Sequence, residues 1–219
     1  MAEGSITGNE EQSPSKKRKR RPVLWSILAV VALVIGAVAW IAVPILLHKS
    51  EGSSNQSKPD GWPTTVSAKG DDGRLRTMMV TTESGASPDL SVLKSGDRLV
   101  VSGSGYNGNI GIYVSICKIP VAGEKPTPCL GGVGGDGESS GDVDWSASTW
   151  VNNDWAWQMF GARSWDDSAT GTFTAYLLVT GPEDGALNCS VDECAIFTRA
   201  DHTALGDRIQ DLYLPVKFG

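Results

Sequence analysis

Leu187–Phe218, L-N-C-S-V-D-E-C-A-I-F-T-R-A-D-H-T-A-L-G-D-R-I-Q-D-L-Y-L-P-V-K-F, decides the fold class. Cys189 and Cys194 stand five positions apart across the polar stretch S-V-D-E. An apolar stretch follows them, then a polar loop. The run closes on the alternation Leu212, Leu214, Val216, Phe218, which turns one face of an extended strand toward a core. It reads as a disulfide-clipped hairpin at the end of an all-β domain outside the cytoplasm.

Working outward, similar signals recur upstream. Strands are predicted at Leu75–Thr82, Asp97–Ser102, Ile110–Cys117, Gly171–Thr180, Ala195–Thr198 and Asp211–Phe218. In the third, Ile110, Ile112, Val114 and Ile116 share one face, with Gly111, Tyr113, Ser115 and Cys117 on the other. Short strands separated by turn clusters indicate a β-sandwich. The 26 Gly, 11 Pro and 8 Trp agree with a turn-rich β protein.

Toward the N-terminus the character changes. Residues 1–21 form a polar tail ending in the basic block K-K-R-K-R-R and are predicted to be disordered. Residues 22–48 are predicted to be a transmembrane helix. Val23 to Leu47 contains no charge, and as a helix it would span ~37 Å, enough for a bilayer core. Six positive charges on one flank against His48 and Lys49 on the other place the N-terminus in the cytoplasm. The competing reading is a signal peptide cleaved at Ala37-Val38-Ala39, which would leave the apolar W-I-A-V-P-I-L-L at the new terminus. Residues 49–70, rich in Ser, Pro and Gly, are predicted to be a flexible linker, leaving 71–219 as the extracytoplasmic domain. The first 47 residues carry six basic and three acidic groups, +3, so the remainder carries −9 of the total −6. A domain this acidic repels nucleic acid and suits basic partners.

The four cysteines all lie in the domain. Nearest-neighbour pairing gives Cys117–Cys129 and Cys189–Cys194, one of three connectivities. A zinc site is the competing use, but no C-x-x-C occurs and only His202 could join the cysteines there.

Several segments taken in order, S-V-L-K-S-G-D-R-L-V-V-S-G-S-G-Y, Y-V-S-I-C, N-C-S-V-D-E-C-A-I-F and a final strand ending V-K-F, resemble the neocarzinostatin family over about Arg76–Phe218. The resemblance implies an immunoglobulin-like, seven-stranded β-sandwich with two local disulfides, the second spanning five positions. T-R-A-D-H-T and G-D-R-I-Q-D are similar to a version of this domain in actinobacterial surface proteins. Family members that carry an enediyne chromophore hold it in an aromatic cleft, with a ring two residues after the first cysteine. Here that position is Ile119, and L-L-V-T-G-P-E-D-G, without an aromatic ring, replaces the aromatic hairpin before the second cysteine pair. The fold carries over better than the ligand.

Gly131–Asp167 is not assigned to the sandwich. Asp136, Glu138, Asp142 and Asp144 could supply oxygen ligands to Ca²⁺, but not at EF-hand spacing, and a solvated glycine-rich loop is the plainer reading. Trp145, Trp150, Trp155, Trp157 and Trp165 follow within 21 residues. They are either core residues beneath an insertion or an exposed platform for a partner, glycan or lipid, with Trp150, Trp155, Trp157 and Trp165 as candidate binding residues. His202, beside Asp201 and with Ser190 nearby in sequence, lacks a nucleophile elbow and reads as part of a charge-paired loop.

No catalytic constellation, metal site or cofactor motif is recognised, so the chain is expected not to be an enzyme. The expected function is a single-pass, membrane-anchored accessory or binding domain of the envelope, in contact with the lipid bilayer and another envelope or membrane protein. The alternative is small-ligand, haem or glycan binding through Trp145–Trp165.

Overall fold

A computed structural model describes residues 21–131, 138–140 and 143–219. The chain divides into two compact units, residues 1–43 and 44–219. Helix α1 is Arg21–Leu47, and its Val23–Leu47 stretch is long and apolar enough to cross a membrane or serve as a signal segment.

The remaining elements are β1 (Thr65–Lys69), β2 (Leu75–Thr82), β3 (Arg98–Ser104), β4 (Ile112–Lys118), β5 (Glu138–Ser140), β6 (Val143–Trp145), β7 (Ser148–Val151), α2 (Trp155–Gln158), β8 (Phe173–Leu178), β9 (Glu183–Asp184), β10 (Leu187–Asn188), β11 (Cys194–Ala200) and β12 (Leu212–Val216). Two four-stranded antiparallel sheets, in the orders β1-β2-β3-β8 and β12-β11-β4-β7, face each other. The ribbons β5–β6 and β9–β10 complete the described strands. The domain is thus an all-β sandwich, with eight strands in its main sheets where the resemblance implies seven. The six predicted strands are present, β2 with the predicted bounds and the other five with shifted ends. Sequence reading missed β1 and β7 of the main sheets and the short ribbon strands β5, β6, β9 and β10.

The core lies between the sheets. Met78, Val80, Leu99, Val101, Phe173, Ala175 and Leu177 meet Ile112, Val114, Ile116, Ile196, Leu212, Leu214 and Val216. Alternation along each strand delivers these side chains to one face. The opposite face of β4 and β11 is buried too, where Cys117, Ala195 and Phe197 are covered by Ile119, Cys129 and Tyr213. Ile110 falls outside β4 and packs with Ala200, Ala204 and Ile209.

Both disulfides form as expected, Cys117–Cys129 and Cys189–Cys194, and no cysteine is left for zinc. Such bonds fit an oxidising, extracytoplasmic compartment.

The expected linker, residues 49–70, is instead held on the domain. His48 Nε2 lies 2.9 Å from the fully buried Asp207 carboxylate, which also accepts from the Glu51 N–H at 3.0 Å. Ser54 N–H donates to Arg208 O at 3.1 Å. The Gln56 amide both donates to Tyr213 O and accepts from Tyr213 N–H, each at 2.7 Å, imitating a neighbouring strand along edge strand β12. β1 then pairs with β2 across Thr65–Lys69. Composition alone misleads here because polar side chains and backbone groups form these contacts, and Ala68 is the only buried residue of β1.

Candidate interaction face

The tryptophan-rich segment divides into three environments. Trp145 and Trp165 are core residues, 2 % and 5 % exposed. Trp145 meets Tyr176 edge-on at 5.2 Å beneath the Arg98 guanidinium, and Trp165 packs against Tyr106 and Phe173. Trp165 is therefore not a surface binding residue as expected. Its ring belongs to the core cluster between the sheets.

Trp150 and Trp157 are half-buried in an aromatic cluster centred on His202. The His202 ring is 4.6 Å from Trp157 and 5.0 Å from Trp150, edge-to-face with both, and Trp150 lies 5.6 Å from Tyr113. His202 Nδ1 hydrogen-bonds with the Tyr113 hydroxyl at 3.0 Å. β7 presents Trp150 beside Tyr113 because the register pairs these two residues.

Beneath the rings lies Asp201, fully buried. Its Oδ2 accepts from Trp150 Nε1 and Asn152 Nδ2, both at 2.8 Å, and its Oδ1 accepts from Thr203 N–H at 2.8 Å and Thr203 Oγ1 at 2.5 Å. Four donors compensate the desolvation of this carboxylate, so it acts as a structural hub.

Above the cluster, residues 152–163 make a closed excursion. Arg163 N–H donates to Trp150 O at 2.7 Å and Asn152 N–H to Arg163 O at 2.8 Å, pinning its two ends together. Asp154 caps α2, accepting from Ala156 N–H at 2.9 Å. Trp155, Met159 and Phe160, at 73 %, 72 % and 74 % exposure, project from this excursion. Three large apolar side chains are thus exposed within six residues of a loop whose ends are pinned together.

Of the expected binding residues the structure clusters Trp150 and Trp157, together with Tyr113 and His202, and leaves Trp155 exposed on the adjoining turn with Met159 and Phe160. The helical turn that gathers the exposed rings is four residues long, too short to leave a periodic signal. Ser190 and His202 lie at opposite ends of β11, about 20 Å of strand apart, so these two residues do not form a nucleophile–base pair. Of the proposed calcium ligands, Asp136, Asp142 and the Glu138 side chain lie outside the described residues, and Asp144 is exposed on β6. Among the described residues, no group of three or more His, Cys, Asp or Glu is placed to hold a metal.

A scan of protein-family models finds no match, and neither does a search of curated proteins. Among solved structures the chain is similar to macromomycin, of the neocarzinostatin family, at 20 % sequence identity and a TM-score of 0.34, over 65 % of this chain and 99 % of that one.

Proposed function

We propose that this chain is a single-pass, membrane-anchored accessory domain of the actinobacterial envelope, with a cytoplasmic N-terminus and an extracytoplasmic sandwich. It docks onto another membrane or envelope protein through the loop that carries Trp155, Met159 and Phe160. The observation that carries this reading is the exposure of those three side chains on a loop braced by the Asp201–His202 cluster. Rigid, exposed aromatics lose little conformational entropy on burial and are frequent anchors in interfaces. The carboxylates of Asp154, Asp166 and Asp167 are exposed in the same segment, so a partner with a basic rim around an apolar cleft suits it. The basic block before an uncharged helix supports the orientation.

The test is pull-down of the full chain from mild-detergent membrane extracts, comparing wild type with a Trp155→Ser/Phe160→Ser variant. A discrete membrane or envelope partner lost in the variant is the expected result. A chain recovered only as a free monomer under several conditions would sink the reading.

Glycan or small-ligand binding through the same segment is a second reading, supported by the exposed Trp155 ring. Fluorescence titration of the full chain with cell-wall glycans, haem and lipids checks it. No spectral change with any of them counts against it.

A further inference from the structure

The chain leaves its apolar run at Leu47 and is fastened to the sandwich at the next residue. Residues 44–47 already belong to the same compact unit as the sandwich. His48 Nε2 lies 2.9 Å from Asp207 Oδ2, and the Ser50 hydroxyl donates to Asp207 Oδ1 at 3.4 Å. Both Glu51 oxygens accept from Asn107 Nδ2, at 3.0 and 3.1 Å. Asp207 also accepts from Ile209 N–H at 3.0 Å, so the clamp is part of the domain's own buried hydrogen bonding.

The clamp and the exposed loop share one end of the sandwich. Asp207 follows His202 by five residues in the connection between β11 and β12, a reach of at most ~18 Å. In that connection Asp201 and His202 hold Trp150 and Trp157, while Ala204 and Ile209 pack on Ile110, near Asn107 in sequence. Leu205, between His202 and Asp207, is exposed. Four large apolar side chains, Trp155, Met159, Phe160 and Leu205, are therefore exposed at the end where the chain arrives from its apolar run. The opposite end, beyond the length of β11, carries Cys189–Cys194 and the exposed Val191.

A clamp this short leaves no gap between this end and a bilayer for a folded protein, whose radius of gyration is ~13 Å at 100 residues. Whatever covers the four side chains must lie beside the anchor at the level of the headgroups, as lipid or as the surface of an integral membrane protein. Asp154, Asp166 and Asp167 are exposed in the same segment, and lipid phosphates would repel them. A protein surface with lysines or arginines around an apolar cleft satisfies both the rings and the carboxylates.

We infer that the sandwich stands with this end toward the bilayer, and that the partner of the Trp155 loop is an integral membrane protein, met at headgroup level by an apolar cleft with a basic rim. The orientation rests on Val23–Leu47 remaining as an uncleaved anchor, and the choice of partner on the Trp155 loop being the docking surface proposed above.

Orientation is measured without a partner. The full chain is reconstituted in vesicles of phosphatidylcholine and phosphatidylglycerol, with a fluorophore on one introduced cysteine, Phe160→Cys, Leu205→Cys or Val191→Cys. The four native cysteines are paired, so the introduced thiol alone takes the label. Energy transfer to acceptors on the lipid headgroups gives the height of each probe. Probes at 160 and 205 are expected beside the headgroups, and the probe at 191 about 20 Å farther out, the length of β11. Equal heights, or a probe at 191 nearer the lipid, overturn the orientation in chains that float with the vesicles and keep the native circular dichroism. A chain that does not float with them overturns it at the anchor instead. The partner is read by placing the photocrosslinker p-benzoylphenylalanine at Trp155 in membranes of the expressing cell and mapping its adducts by mass spectrometry. Adducts are expected on an integral membrane protein, beside one of its transmembrane segments and flanked by lysine or arginine. Adducts on lipid alone, on a soluble protein or on a domain remote from the bilayer overturn the choice of partner. Absence of any adduct, with the probe heights as expected, overturns the docking loop and leaves the orientation standing.

Discussion

The Trp150 indole donates to Asp201 Oδ2 at 2.8 Å across 51 positions of sequence, joining edge strand β7 to the loop after β11. The same carboxylate caps the short turn at His202–Ala204 through Thr203 N–H. One buried acid therefore positions both halves of the aromatic cluster that supports the exposed loop. Asp201→Ala leaves the Trp150, Asn152 and Thr203 donors without their acceptor, and should cost about 2–4 kcal/mol in urea unfolding. Asp201→Asn keeps part of the acceptor set and should cost less.

Trp155 and Trp157, two residues apart, should behave oppositely. Trp157 packs on His202 and Trp150, so Trp157→Ala should lower stability by about 2 kcal/mol. Trp155 is largely exposed, and Trp155→Ala should change stability by less than about 0.5 kcal/mol while removing the partner captured by the wild-type chain. Loss of stability on both substitutions would show that Trp155 is a structural residue.

The Arg76 side chain is fully buried and donates to both Asp72 oxygens, at 2.9 and 2.6 Å, and from Nε to Gln210 Oε1 at 2.9 Å. Gln210 Nε2 in turn donates to Asn107 O at 2.9 Å. Asp72→Ala removes the carboxylate but leaves the guanidinium buried, and should cost about 3–5 kcal/mol in chemical denaturation. Replacing Arg76 and Asp72 together with apolar residues should cost less than Asp72→Ala alone.

Asp211 sets a pH dependence of stability opposite to that of a paired surface carboxylate. Burial raises its folded-state pKa to about 7 from an ordinary 3.8. The folded state therefore holds the proton more tightly. The stability contributed is fully present below about pH 4 and is lost as pH rises through about 7. Asp211→Asn should flatten thermal stability across that window and raise it relative to wild type above about pH 7. An unchanged slope in the variant would assign the pH dependence to other groups.

The two cysteine pairs close loops of different length, with sequence separations of 12 and 5. Cys117→Ser/Cys129→Ser should cost about 3 kcal/mol and Cys189→Ser/Cys194→Ser about 2 kcal/mol in equilibrium unfolding, following loop-closure entropy. The reverse order would mean that packing of the buried Cys189–Cys194 pair outweighs loop closure.

Much of the scaffold was legible in local patterns. An uncharged run of 25 residues specifies an apolar helix, and period-two alternation specifies the inner faces of β4, β8 and β12. The cysteine spacing left three pairings open, and the observed two follow the nearest-neighbour choice because each joins short, adjacent segments. By contrast, Gln56 bonding to Tyr213 and His48 to Asp207 join residues more than 150 positions apart through polar side chains, which leave no periodic trace. The five tryptophans show the same division. Sequence identifies them as rings that burial or binding would use, since both draw on the same large apolar surface. Only the sandwich geometry placed Trp145 and Trp165 inside, Trp150 and Trp157 against His202, and Trp155 in solvent, because the burial of each ring depends on strands that arrive from elsewhere in the chain.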